Sequence, residues 1–267
     1  METGYSWDTG LLRKLNEDSI LCTTFDIMTH AGAVRAGLFI VADGMGGHNA
    51  GEIASDLAIK TFHTECLAGM LAPSPAPPMS IMAIAFKEAN SSVLEAASDR
   101  SLHGMGTTFT AALIIEDDMY IAHVGDSRCY IINSRESIQA TKDHSMVQQL
   151  VDAGVITQEQ ARNHPRRNEI TRVLGYAADS APDLLRYKLY AGDNILICSD
   201  GLCGVLTGEQ IRETVLNSPD PNRACADLTA QANLAGGPDN ISVIIIKPAN
   251  LPSWQAVVTA QTSVRIA

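Results

Sequence analysis

Residues 107–133, TTFTAALIIEDDMYIAHVGDSRCYIIN, decide the architecture. Three runs rich in strand formers, Thr107–Ile115, Met119–Val124 and Arg128–Asn133, follow one another with almost no chain between them. Asp117-Asp118 reads as the hairpin turn between the first two. Upstream, Ser19–Met28 and Leu38–Ala42 read as two more strands, and downstream come Leu185–Tyr190, Asn194–Cys198 and Ile241–Lys247. Helical spacing of apolar residues predicts helices at Asn49–Gly69 and Ser80–Asp99, with two more at Thr207–Asn217 and Pro221–Leu234. Strands in sequential hairpins and helices in runs, without steady βαβ alternation, predict an α+β layered sandwich of largely antiparallel sheets.

The connecting stretches differ in character. Leu71–Met79 (LAPSPAPPM) holds four prolines, which remove donors and fix φ, so it reads as a surface linker. Asp143–Asp183 is polar, with short helical pieces and the basic run His164-Pro165-Arg166-Arg167, and reads as an excursion from the core. Leu251–Ala267 carries no clear pattern and reads as a tail.

Composition narrows the function. An apolar fraction of 46% suits an ordinary globular chain, and no apolar run is long enough for a bilayer. Met1–Asp18 is acidic and lacks an apolar signal core, so a cytoplasmic protein is expected. Six scattered cysteines without a CxxC pair read as buried thiols. A formal charge of −11 argues against a nucleic-acid-binding face and suits cation binding.

Chemistry concentrates where apolar strands stop at an aspartate. Leu38–Ala42 ends at Asp43-Gly44, and Ile195–Ser199 ends at Asp200-Gly201. Gly237-Pro238-Asp239-Asn240 precedes the last strand. One Asp-Gly is ordinary turn chemistry, but three strand-end aspartates in one domain can converge on hard divalent cations such as Mg²⁺ or Mn²⁺. Two such ions can share a bridging water, lower its pKa and aim it at phosphorus. Arg13-Lys14-Leu15-Asn16-Glu17-Asp18 offers complementary parts, an arginine to grip a phosphate and acids to support an ion. Taken alone, the same run also reads as a solvated charged loop.

Together these segments resemble the PPM (type 2C) family of metal-dependent serine/threonine protein phosphatases, in its bacterial type. The matches run in family order: Arg13-x-x-Asn16-Glu17-Asp18, Asp43-Gly44-Met45-Gly46-Gly47-His48, Gly106-Thr107-Thr108, Val124-Gly125-Asp126-Ser127-Arg128, Asp143-His144-Ser145, Thr171-Arg172-Val173-Leu174-Gly175, Ser199-Asp200-Gly201-Leu202 and Gly237-Pro238-Asp239-Asn240-Ile241-Ser242. The resemblance implies a four-layer αββα sandwich over 1–250, a flap subdomain near 143–183, and a tail at 251–267. It implies two Mn²⁺ or Mg²⁺ ions bridged by Asp43, with the Gly44 carbonyl on one and Asp200 and Asp239 on the other. Glu17 and Asp18 would support the second ion, Arg13 would hold the phosphate, and Asp126 with Asp200 would take a possible third ion. Gly106-Thr107-Thr108 would shape the sheet beneath the site.

The same resemblance implies a single-chain enzyme that dephosphorylates phosphoserine and phosphothreonine in proteins and opposes a bacterial Ser/Thr kinase, with neither nucleic acid nor membrane as partner. Met45 stands where animal and plant members carry a histidine proposed to protonate the leaving alcohol. A metal-bound water is the first expectation for that proton, with His48 and His164 as further candidates. The competing reading, a non-catalytic member that regulates a partner, requires lost ligands, and none is lost.

Overall fold

Three separate apolar cores lie one above another, and single strands feed two of them at once. The computed structural model describes residues 1–29, 32–46 and 50–253. One sheet contains β2 (Asp18–Thr29), β3 (Gly32–Met45), β5 (Phe109–Ile115), β6 (Asp118–Val124) and β9 (Asp183–Lys188) in that order, with the two-residue β4 (Gly106–Thr107) against β3. The other sheet runs β1 (Glu2–Asp8), β11 (Ile241–Lys247), β10 (Asn194–Cys198), β7 (Arg128–Ile132) and β8 (Ser137–Gln139). Every pairing among these strands is antiparallel.

Side-chain alternation explains the layering. Along β3, Leu38, Ile40 and Ala42 enter the core beneath the helices α1 (Gly51–Met70) and α2 (Pro78–Ala96). Phe39 and Val41 point the other way, into the core between the sheets. On β11, Ile241, Val243 and Ile245 meet the helices α6 (Gly208–Asn217) and α7 (Pro221–Leu234), while Ile244 and Ile246 face the opposite sheet. Strands covered on both faces read as continuous apolar runs, which is why these were visible in the sequence. The result is the expected αββα sandwich of two antiparallel sheets flanked by helices.

Several boundaries move, each for a local reason. β1 was absent from the reading because it carries mostly polar residues and a glycine; seven register pairs with β11 make it a strand, from Glu2↔Lys247 to Asp8↔Ile241. The turn before β6 lies at Glu116-Asp117 rather than Asp117-Asp118, with Glu116 in the left-handed region at φ 55°. The second helix begins at Pro78, inside the expected linker, because proline at a first helical position wastes no hydrogen bond. The first helix begins at Gly51, and residue 49, its expected start, lies outside the described residues. All six cysteines are free thiols, five of them buried.

The Asp143–Asp183 excursion is less detached than its polarity suggests. Its first half carries the short helices α3 (Met146–Asp152) and α4 (Gln158–Arg162) and is held by Arg162, whose guanidinium donates to the Leu206 carbonyl at 2.9 Å. Its second half re-enters the main body. Leu174 is fully buried and exchanges backbone hydrogen bonds with Thr107 at 3.0 and 2.9 Å. Buried Asn90 on α2 accepts from the Gly175 N–H and donates to the Ala177 carbonyl, both at 2.8 Å. Asn90→Ala would strand both groups, and we expect a loss of about 1–3 kcal/mol, seen as a melting temperature lower by several degrees. An unchanged melt would contradict this anchoring.

Candidate metal centre

The two sheets end together at one edge of the sandwich, and the acidic residues gather there. Asp18 at the start of β2 faces Asp43 near the end of β3 in register. Asp126 sits in the turn between β6 and β7, Asp200 opens the single-turn helix α5 (Asp200–Cys203) after β10, and Asp239 immediately precedes β11. The Asp43 and Asp200 carboxyls lie close enough to act on one another's ionisation. Six of the seven residues expected to bind metal therefore contribute carboxylates to this edge, and the seventh, Gly44, adjoins Asp43.

Their surroundings are costly for uncompensated charge. Asp18 is 2% and Asp126 7% exposed. One oxygen each of Asp18, Asp126 and Asp200 is buried without a hydrogen-bond partner. Burial and then the neighbouring aspartates raise the Asp43 carboxyl well above the usual range. The same two causes act on Asp126, and Asp18 is pushed up to about 7, chiefly by burial. Asp200 rises to about 6, by burial and then by Asp239. Buried carboxylates normally find hydrogen bonds or cations, so orphaned, proton-hungry oxygens fit a cation site. Among the described residues no three acidic, histidine or cysteine side chains stand in an arrangement that would hold a metal ion as they are placed.

A polar scaffold fixes the carboxylates. Thr108 Oγ1 accepts from the Asp43 N–H at 3.0 Å, and Thr107 Oγ1 donates to the Asp43 carbonyl at 2.9 Å. The Gly106-Thr107-Thr108 segment thus supports the site from below. Ser199 Oγ donates to Asp18 Oδ2 at 2.8 Å while accepting from the Ser242 N–H at 3.0 Å. Asn240 was missed by the sequence reading as an organiser. Its Oδ1 accepts from the Glu17 N–H at 2.8 Å, and its Nδ2 donates to the Thr9 and Leu15 carbonyls at 2.9 and 3.0 Å. It therefore ties the Arg13–Asp18 loop to the Asp239 turn. Gly44 is constrained by packing, since a Cβ there would lie 2.1 Å from the Gly51 carbonyl oxygen at the start of α1.

Arg13 lies at the rim, half exposed, with Nη2 2.7 Å from Asp239 Oδ2. Glu17 is raised above its usual value, first by burial. Glu52, near Glu17 on α1, adds another orphaned buried oxygen that no motif announced. Of the proton candidates, His48 lies outside the described residues. His164 accepts from the Arg166 N–H, and Arg166 is committed to Glu169 at 2.6 Å, so the basic run is not a free arm. Arg167 instead lines a cavity of about 90 Å³ with Asp126 and Asp200.

The profile described as protein phosphatase 2C matches residues 16–233. The chain belongs to the protein phosphatase 2C family. It is 39% identical over 241 residues to the serine/threonine protein phosphatase PstP of Mycobacterium tuberculosis, covering 89% of this chain and 43% of that protein. It thus spans less than half the length of that relative. It is 33% identical to the serine/threonine phosphatase stp of Listeria monocytogenes, covering 92% of this chain and 96% of that protein. A crystal structure of the PstP catalytic domain in complex with 2 manganese ions superposes with TM-score 0.75 at 36% identity, covering 91% of this chain and 96% of that one.

Carboxyls raised by burial give an unusual pH signature. A group whose folded pKa exceeds its unfolded value stabilises at low pH and loses that contribution as pH rises through the folded value, here about 6 to 7. Buried His123, pushed down to about 4, acts in the opposite direction. The metal-dependent difference in melting temperature isolates the first effect. We expect added Mn²⁺ to raise the melting temperature of EDTA-stripped protein more at pH 8 than at pH 5.5, by several degrees. An equal or larger shift at pH 5.5 would contradict it.

Proposed function

We propose that this chain is a metal-dependent phosphoprotein phosphatase that hydrolyses phosphoserine and phosphothreonine. The observation that carries the reading is the set of orphaned buried carboxylate oxygens on Asp18, Asp126 and Asp200 at one edge of a type 2C fold. Asp43, the Gly44 carbonyl, Asp200 and Asp239, with Glu17 and Asp18 in support, would hold two Mn²⁺ or Mg²⁺ ions; Asp126 and Asp200 would take a third. Such ions, when bound, neutralise phosphate charge and lower the pKa of water.

The chain's own residues do the positioning. Asp18 and Asp43, paired in register and pinned by Ser199, Thr107 and Thr108, keep the acidic set rigid. Arg13, exposed and on a loop tied by Asn240, would exchange Asp239 for a substrate phosphate, which its planar fork can hold through two bonds. Met45 cannot donate a proton. His123 is buried against Thr110 and stays neutral. His144 accepts from the Gly125 N–H through Nδ1, and its Nε2 is enclosed by Arg172 at 2.8 Å and Asp183 at 3.1 Å. Neither His123 nor His144 is available as an acid, and His164 Nδ1 already accepts from the Arg166 N–H, so the leaving alkoxide would take its proton from solvent in the site.

The substrates would be phosphorylated proteins, among them a Ser/Thr kinase or its targets, met by a single-chain cytoplasmic enzyme with a catalytic domain at 1–250 and a flap near 143–183. The role of the 251–267 tail falls largely outside the described residues. No helix among the described residues is long and apolar enough to cross a membrane.

With Mn²⁺, purified protein should hydrolyse p-nitrophenyl phosphate and a phosphothreonine peptide, and EDTA should abolish both. Asp43→Asn should lower kcat by about a thousandfold, on the scale of removing a preorganised charge. Arg13→Ala should weaken kcat/KM by about tenfold or more. A parent protein without activity, indistinguishable from Asp43→Asn, would sink the proposal.

A further inference from the structure

Beside the acidic edge lies an open cleft of about 410 Å³ whose walls are largely apolar: Met45, Ile170, Val173, Tyr176, Ala177 and Ala181. It is formed where the second half of the 143–183 excursion returns to the main body. The Tyr176 ring covers Gly106 so closely that a Cβ there would lie 2.6 Å from it, and its hydroxyl donates to the Gly104 carbonyl at 3.1 Å. The glycine is therefore what lets the aromatic wall lie flat against β4. Arg172, the one basic residue in the lining, is spent: it donates to Asp183 at 2.8 Å and to the Ala181 carbonyl. Asp179, Thr171 and Ser180 complete the lining, so with Arg172 occupied the cleft has little to offer an acidic ligand and much to offer an apolar one.

Its place relative to the carboxylates identifies the occupant. Met45 lies two residues beyond Asp43 on the same strand, so the apolar wall begins about 7 Å from the acidic edge. The same distance separates side chains two apart in an extended peptide. Resting on the phosphatase reading above, we infer that the cleft receives an apolar side chain of the substrate polypeptide one or two residues from the phosphorylated serine or threonine. The volume accommodates a leucine, methionine or phenylalanine, and Tyr176 is the residue that sets this preference.

The test compares phosphothreonine peptides carrying Leu, Phe, Gly or Asp at the flanking positions, with p-nitrophenyl phosphate as a substrate too small to reach the cleft. The parent enzyme should favour Leu and Phe over Gly and Asp in kcat/KM by about tenfold or more, as burial of one large apolar side chain implies. Tyr176→Ala, which opens a wall, and Ala177→Phe, which fills the space, should each erase most of that preference. Both should leave p-nitrophenyl phosphate turnover within about twofold of the parent. Equal kcat/KM for all four peptides, or a preference untouched by both variants, would overturn the inference while active p-nitrophenyl phosphate hydrolysis leaves the phosphatase reading intact. No hydrolysis of any substrate by the parent would overturn that reading, and this inference with it.

Discussion

Mutual repulsion among buried carboxylates is the constraint around which this molecule is arranged. Asp18, Asp43, Asp126 and Asp200 are forced together by strand ends that the two sheets bring to one edge, and three of them leave an oxygen without a partner. Nothing in the apolar cores requires acids there. Folding supplies the energy to hold them, and divalent cations would supply the missing compensation. The rest of the edge serves the same arrangement. Thr107 and Thr108 grip the backbone of Asp43, Ser199 grips the side chain of Asp18, and Asn240 joins the Arg13 loop to the Asp239 turn.

The sandwich makes such an arrangement affordable. Because β3 and β11 bury both faces, the segments carrying Asp43 and Asp239 are held by two cores each. Interiors packed to this degree transmit position well, and acids at their margins cannot easily relax away from one another. The 143–183 segment is tied down differently. It is anchored at Leu174 and by Asn90, while α3 and α4 are held by buried Val147 and Ala161, the Ser145–Ile170 bridge, the Lys142–Asp152 ion pair and Arg162. Under the proposed function, the acidic edge would carry the chemistry and the segment beside it the recognition of polypeptide.

Much of this was legible in the residues. The apolar strands announced themselves because two-sided burial removes polar alternation, and the aspartates at their ends stood out against those runs. What stayed hidden was long-range. β1 is polar and contains Gly4, so only its pairing with β11 reveals it. Asn240 and Ser199 resemble ordinary turn and cap residues, and their roles depend on partners up to 231 positions away. Leu174 looked like part of a polar excursion, although one buried leucine and two backbone bonds to Thr107 tie it to the core.

The central claim is that the orphaned oxygens exist to bind cations. Calorimetric titration of metal-stripped protein with Mn²⁺ near pH 7.5 tests it without reference to any substrate. The account predicts at least two ions bound per chain, with Asp43→Asn losing sites or weakening them by well over tenfold. Absence of binding at millimolar Mn²⁺, or identical isotherms for the parent and Asp43→Asn, would contradict it.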